Sequence, residues 1–136
     1  MIKTKQVFQP KDVSDGTRIL ITLGVSDKIK KLPFDEHISA LGPSLDLLSA
    51  YKGWKGKPIS WDEYEERFIE EMKSPQSKEV IADLAKRSFH GETITLLCYE
   101  KEENPHCHRH IVKRLIVEQE NKLKNEEVKN EAETCY

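Results

Sequence analysis

The sequence predicts a small single α/β domain: a short, mostly parallel sheet with flanking helices and a long C-terminal helix. Three observations carry this. Short β-rich runs are separated by long stretches at helical period, so neighbouring strands must be joined by crossovers rather than hairpins. The run "ETITLLCYE" (92–100) is apolar on both faces, as a central strand is. Ile111, Val112, Leu115, Ile116 and Leu123 form one stripe at the period of a helix face. The domain is placed at residues 1–124. Residues 125–136 are read as a charged, frayed tail with little to bury, and Cys135 in it as an incidental exposed thiol.

Taken in order, "KTKQVF" alternates polar and apolar residues and reads as a first, edge strand; Pro10 and "DVSDG" turn the chain. "TRILITLG" (17–24) is a short, β-branched apolar run closed by Gly, a strand covered on both faces. "VSDKIKKLP" reads as a loop and "DEHISAL" as a short helix capped by Asp35. A helix starting at Ser44 is expected to bury Leu45 and Leu48, and "KGWKGKP" is a loop. In "SWDEYEERFIEEM", Ser60 and Glu63 have capping-box spacing, and Trp61, Tyr64, Phe68 and Met72 share one face. "SPQSKEVIADLAKRS" follows with Pro75 in its first turn and Val80, Ile81 and Leu84 facing the core. In the strand 92–100, Ile94, Leu96 and Cys98 point one way, Leu97 and Tyr99 the other. The last helix is predicted from about Pro105, with Asn104 as its cap.

Composition narrows the function. The chain is 37% hydrophobic and 34% charged, a globular balance with a charged surface. Net charge is −2, with residues 1–57 mildly basic and 58–136 acidic, so a local anion site in the front half fits and a broad nucleic-acid surface does not. No run reaches the roughly 20 apolar residues of a bilayer span, and "MIKTKQVFQP" is not a secretory leader. A cytoplasmic protein with mostly reduced thiols is expected. The sequence leaves the oligomeric state open.

Chemistry concentrates in "CYEKEENPHCHRH" (98–110), which lies where open parallel sheets bind ligands: strand end, loop, helix start. Cys107 and His108 sit four residues before Ile111 and Val112, so both continue the buried stripe; Arg109 and His110 rotate toward the rim or solvent. Cys98, Cys107 and His108 are thereby expected to converge. Four readings fit: tight structural packing of small thiols around a core histidine; a pocket for a small anionic ligand, held by the helix N-terminus and Arg109; thiol chemistry with Cys98 or Cys107 activated by His108; and a zinc site. Spacing argues against the last. There is no C-x-x-C, and H-x-C-H-x-H spreads its donors around a helix; His106 and His110, four apart, read as a solvated pair. No metal or cofactor is therefore assigned, and no G-x-G-x-x-G, G-x-x-x-x-G-K-[ST] or H-E-x-x-H occurs. Lys52, Lys55 and Lys57 of "KGWKGK" read as a solvated loop, and the stripe Trp61/Tyr64/Phe68 as core.

The combination "LLCYEKEENPHCHRHIVKRLI" resembles the signature of the family called domain of unknown function 488, in which a strand of type LLCxE is followed by Cys-His-Arg opening the last helix. The matching residues are Leu96, Leu97, Cys98, Glu100, Cys107, His108 and Arg109; "LGPSLDLL" adds Gly42, Pro43, Ser44 and Leu47, and "ISWDEYEERFIEEM" is similar to the family's intervening segment. The resemblance spans about residues 2–118. It implies the α/β fold and a site with Cys98, Cys107 and His108 as catalytic candidates and Arg109, Glu100 and Ser44 as ligand-binding candidates. The expected ligand is a small anion or a nucleotide-like molecule; the alternative is a non-enzymatic interaction module with a structural Cys/His core. Many relatives carry arginines just after the second strand, where this chain has "LGVSDKIKK". If those arginines bind an anion in the relatives, either lysines such as Lys28 replace them here, as weaker bidentate partners, or the activity is altered.

Overall fold

Strand β4 (Ile94–Cys98) is buried at every residue and lies inside a four-stranded parallel sheet. β1 (Ile2–Gln6) pairs on one side of it and β2 (Thr17–Leu20) on the other, with β3 (Glu36–His37) beyond β2, giving the order β1-β4-β2-β3. Ile2 aligns with Ile94, and Thr17 with Ile94 from the opposite side. The computed structural model describes residues 1–134, with side chains to Asn130. The predicted edge and central strands are those observed. No helix among the described residues is long and apolar enough to cross a membrane.

The two faces of the sheet are covered unequally. Ile19, Ile21, Ile94 and Leu96 face a large core completed by helices α3 (Trp61–Glu71), α4 (Pro75–Phe89) and α5 (His108–Thr134). Leu20 and Leu97 face a small one with Val7 and Ile29, roofed by the short helix α1 (Asp27–Lys30) and the chain around Phe34. The alternation follows from the strand period of two: successive residues of β2 and β4 point to opposite faces. Cys98 keeps the parity of Ile94 and Leu96 and so belongs to the helical face.

Helix starts carry their signals in the sequence. Ser44 accepts from Leu47 N at the head of α2 (Leu45–Lys52), Ser60 from Glu63 N, and Ser74 from Ser77 N ahead of Pro75. The box at Ser60 is half formed, because the Glu63 carboxylate pairs with Arg67 instead of reaching back. Gly42 holds the approach to α2 against the end of β2. A Cβ there would stand 2.8 Å from Leu23 N and 2.9 Å from Thr22 C.

Several local expectations are corrected. Residues 35–41 do not form a helix: Glu36–His37 add to the sheet beside Ile19 and Leu20, a 3-10 turn covers Ser39–Leu41, and the Asp35 carboxylate accepts from Arg18 N. Pairing with a buried strand outweighs local helical preference. The expected loop before it contains α1, capped by Ser26. Leu45 is 59% exposed; Leu47 and Ser49 are the buried residues of α2. At the other end, α5 continues past Lys124 to Thr134, and its residues 124–130 are exposed. The reading of Cys135 falls outside the described residues.

Candidate functional site: a dithiol and imidazole beneath an aromatic cavity

The site lies beyond the carboxyl ends of the two central strands, β2 and β4. Cys98 is the last residue of β4, and after a loop the chain re-enters the sheet end at Cys107, immediately before α5. Helix α5 begins at His108, three residues later than Asn104–Pro105 suggests. Asn104 turns the loop instead, its side-chain oxygen accepting from His106 N at 2.9 Å. Cys107 and His108 nonetheless face the sheet as their spacing to Ile111 and Val112 demands: Cys98, Cys107 and His108 are 4%, 2% and 7% exposed.

The three side chains touch. Cys107 Sγ donates to Cys98 Sγ at 3.0 Å, and His108 Nδ1 lies 3.6 Å from Cys98 Sγ and 3.9 Å from Cys107 Sγ. The far nitrogen, His108 Nε2, is 2.5 Å from the carbonyl oxygen of Ile21, at the end of β2. A carbonyl only accepts, so Nε2 carries the proton. In the neutral ring, Nδ1 is then an unprotonated acceptor aimed at both sulfurs. The two thiols differ. The Cys107 hydrogen bond lowers the Cys98 thiol from its ordinary value against the effect of burial, with help from the Glu100 and Tyr99 amides and the Arg109 charge. Cys107 is pushed up, by being the donor to Cys98 and by burial. Cys98 is the more acidic sulfur.

Above these residues opens a cavity of about 300 Å³. Cys98, Cys107 and His108 form part of its floor. Its walls are mostly aromatic and apolar, with Tyr51, Trp54, Trp61, Tyr64 and Tyr99 contributing rings. Trp61 stacks on His106 at 4.8 Å between ring centres and on Tyr64 at 5.1 Å. Burial, followed by the nearby thiols of Cys107 and Cys98, raises the Tyr64 hydroxyl's pKa, so it stays protonated. Polar groups sit at the rim: Lys52 donates to Glu100 at 3.0 Å, and Asn104 holds the other Glu100 oxygen at 3.3 Å.

Of the sequence candidates, Cys98, Cys107, His108 and Glu100 come together here; Arg109 and Ser44 do not line the cavity. Arg109 is not turned toward solvent. It is fully buried and donates to the carbonyls of Glu100 and Lys101 at 2.8 and 3.0 Å, holding the loop in place. The loop folds over the helix start, a tertiary fact that helical period does not contain. Ser44 caps α2 and donates to Glu71 at 2.5 Å, beside a separate depression. Lys28 lies 5.4 Å from the Phe8 ring and does not line the cavity. Trp61 and Tyr64 pack on the core, as their stripe predicts, and in addition present their rings to the cavity, which the stripe does not reveal. Trp54 in a Lys/Gly loop is the sequence signal of a ring with no core to enter.

A parallel α/β domain with a buried dithiol–imidazole group at the strand ends is the class these features define. The chain matches the family model described as "Active DUF488-N3 subclade", DUF488-N3a, over residues 2–120, and belongs to that family. It is 31% identical over 99 residues to "Uncharacterized protein YeaO" of Escherichia coli (strain K12), covering 71% of this chain and 80% of that protein. No solved structure gives a significant match.

Proposed function

We propose that the protein binds a small, planar, nucleotide-like ligand in the aromatic cavity, with the Cys98–Cys107–His108 floor as its reactive end. The observation that carries this is the conjunction of aromatic walls with an acidified thiol at the bottom of the same cavity. Flat heterocycles stack on tryptophan and tyrosine at about 1–3 kcal/mol per base. A bare inorganic anion is a poorer fit, since Arg109 is committed to loop carbonyls and the lining cation, Lys52, is paired with Glu100. The Lys52–Glu100 pair instead suits the polar end of a larger ligand. In the protein without a bound metal, Cys98 is the reacting thiol and His108 Nδ1 the base beside it.

Both tryptophans of the chain line the cavity, so intrinsic fluorescence reports directly on its occupancy. Titration with a panel of nucleosides and nucleotides is expected to quench the emission saturably and to slow alkylation of Cys98. Unchanged fluorescence across the panel at millimolar ligand, with labelling unaffected, would overturn the reading. The second reading, a non-enzymatic interaction module, is favoured by one observation: His108 bonds β2 to α5 and Arg109 ties the loop, both of them structural tasks. It predicts that Cys98 and Cys107 stay unlabelled in the native protein, with or without nucleotide.

A further inference from the structure

We infer that Cys98 Sγ, Cys107 Sγ and His108 Nδ1 form a site for a zinc ion with one coordination position open to the aromatic cavity. Sequence spacing hides this set, because two donors flank a helix start and the third comes from a strand nine residues earlier. The fold removes that objection. The three donor atoms all lie within 4.8 Å of one another, on buried residues, with no carboxylate among them. Thiolate and imidazole are the ligands a borderline-soft ion prefers.

Two of the three donor separations fit a tetrahedral ion as they stand, and the third needs a small opening. With Zn–S near 2.3 Å and Zn–N near 2.0–2.1 Å, tetrahedral vertices lie roughly 3.8 Å apart for two sulfurs and roughly 3.6 Å for sulfur and nitrogen. The sulfur–nitrogen separations here are 3.6 and 3.9 Å. The sulfur–sulfur distance is 3.0 Å, that of a thiol donating to its neighbour, and must open by about 0.8 Å once both protons are gone. Orientation is already set. Metal-bound histidines almost always donate their other ring nitrogen to a carbonyl or carboxylate, and His108 Nε2 is committed to Ile21 O, leaving Nδ1 toward the sulfurs. On binding, both thiols release their protons to solvent. Three protein ligands leave the fourth vertex for water or a ligand atom, the arrangement of a catalytic rather than a structural zinc. All three residues line the cavity, so that vertex faces it.

The open vertex deepens the ligand-binding reading, but the ion's presence does not depend on it. Untagged protein carrying Cys135→Ser, stripped with chelator under reductant, is titrated with Co²⁺ and then Zn²⁺. The expected result is one ion per chain, with thiolate-to-cobalt charge-transfer absorption and tetrahedral visible bands that zinc abolishes. Cys107→Ser and His108→Gln should each weaken zinc by more than about 100-fold, beyond the roughly 10–100-fold that follows loss of an outer-shell partner. Zinc should also protect Cys98 and Cys107 from alkylation in the unsubstituted pair, a readout that requires no variant to fold. Cobalt spectra lacking the sulfur band, or zinc binding indifferent to these substitutions, would overturn the site. Nucleotide quenching in the stripped protein is scored separately, so either proposal can fail alone.

Discussion

Arg109 shows how a single residue can match a motif and still take an unexpected place. Its guanidinium has two loop carbonyls as partners and no solvent, and its Nε has no acceptor. Lysine offers one point of charge in place of a planar fork. Arg109→Lys is therefore expected to cost about 2–3 kcal/mol, from lost charge-assisted hydrogen bonds and unsatisfied carbonyls. Faster amide hydrogen exchange should be confined first to residues 100–104; uniform exchange across the domain would place the effect elsewhere. The two thiols should also separate chemically. In chelator-treated protein, Cys98 should be alkylated before Cys107 in a time course mapped by mass spectrometry, because the hydrogen bond between them stabilises one thiolate at the other's expense. The convergence of Cys98, Cys107 and His108 was legible in the sequence, since strand parity and helical spacing both aim them inward. The direction of Arg109 was not, because its partners are carbonyls of a loop that has no period to read.

At the level of elements, the helix caps are the parts most directly written into the chain. Ser44 accepts from Leu47 N at 3.1 Å and donates to Glu71 of α3, so one hydroxyl both starts α2 and fastens it to its neighbour. Ser44→Ala should lower unfolding free energy by about 1 kcal/mol, the usual loss for a serine N-cap. The nucleotide titration of this variant should overlay that of the native protein. Weakened binding would return Ser44 to the pocket, where the family motif alone would put it. Strands β1, β2 and β4 and helices α2 to α5 were readable because each carries its own periodicity or cap. β3 was not. A two-residue strand has no pattern of its own, and Glu36 and His37 become sheet only because Ile19 and Leu20 offer an open edge. The late start of α5 has a similar origin: Asn104 and Pro105 are good initiators, yet the loop must first travel far enough to cover Arg109.

Across the whole molecule, the aromatic cavity and the thiol floor occupy one end of the sheet, and a charged knot secures the opposite part of the same strands. Asp15, buried before β2, receives Arg18 at 2.5 Å and Lys5 of β1 at 3.1 Å, while its carbonyl accepts from Thr95 of β4. β1 and β2 thus meet at one carboxylate, and β4 joins them through the backbone carbonyl of the same residue. Burial alone would raise the Asp15 pKa, but the Asp12 amide, Lys5 and Arg18 together outweigh it and bring it to about 2. The unfolded chain's value is about 3.9, so the folded state holds the carboxylate ionised where the unfolded state begins to protonate. The stabilisation is complete above about pH 4 and is lost as pH falls toward about 2. Asp15→Asn leaves the fully buried Arg18 without its counter-charge and should cost about 3–5 kcal/mol at neutral pH. Denaturant melts of the native protein and the variant, repeated from pH 7 downward, should run parallel to about pH 4 and then draw closer without meeting. A constant gap down to pH 2 would mean that Asp15 acts through shape and hydrogen bonding alone, and that the charge at the base of the sheet contributes nothing to holding its strands together.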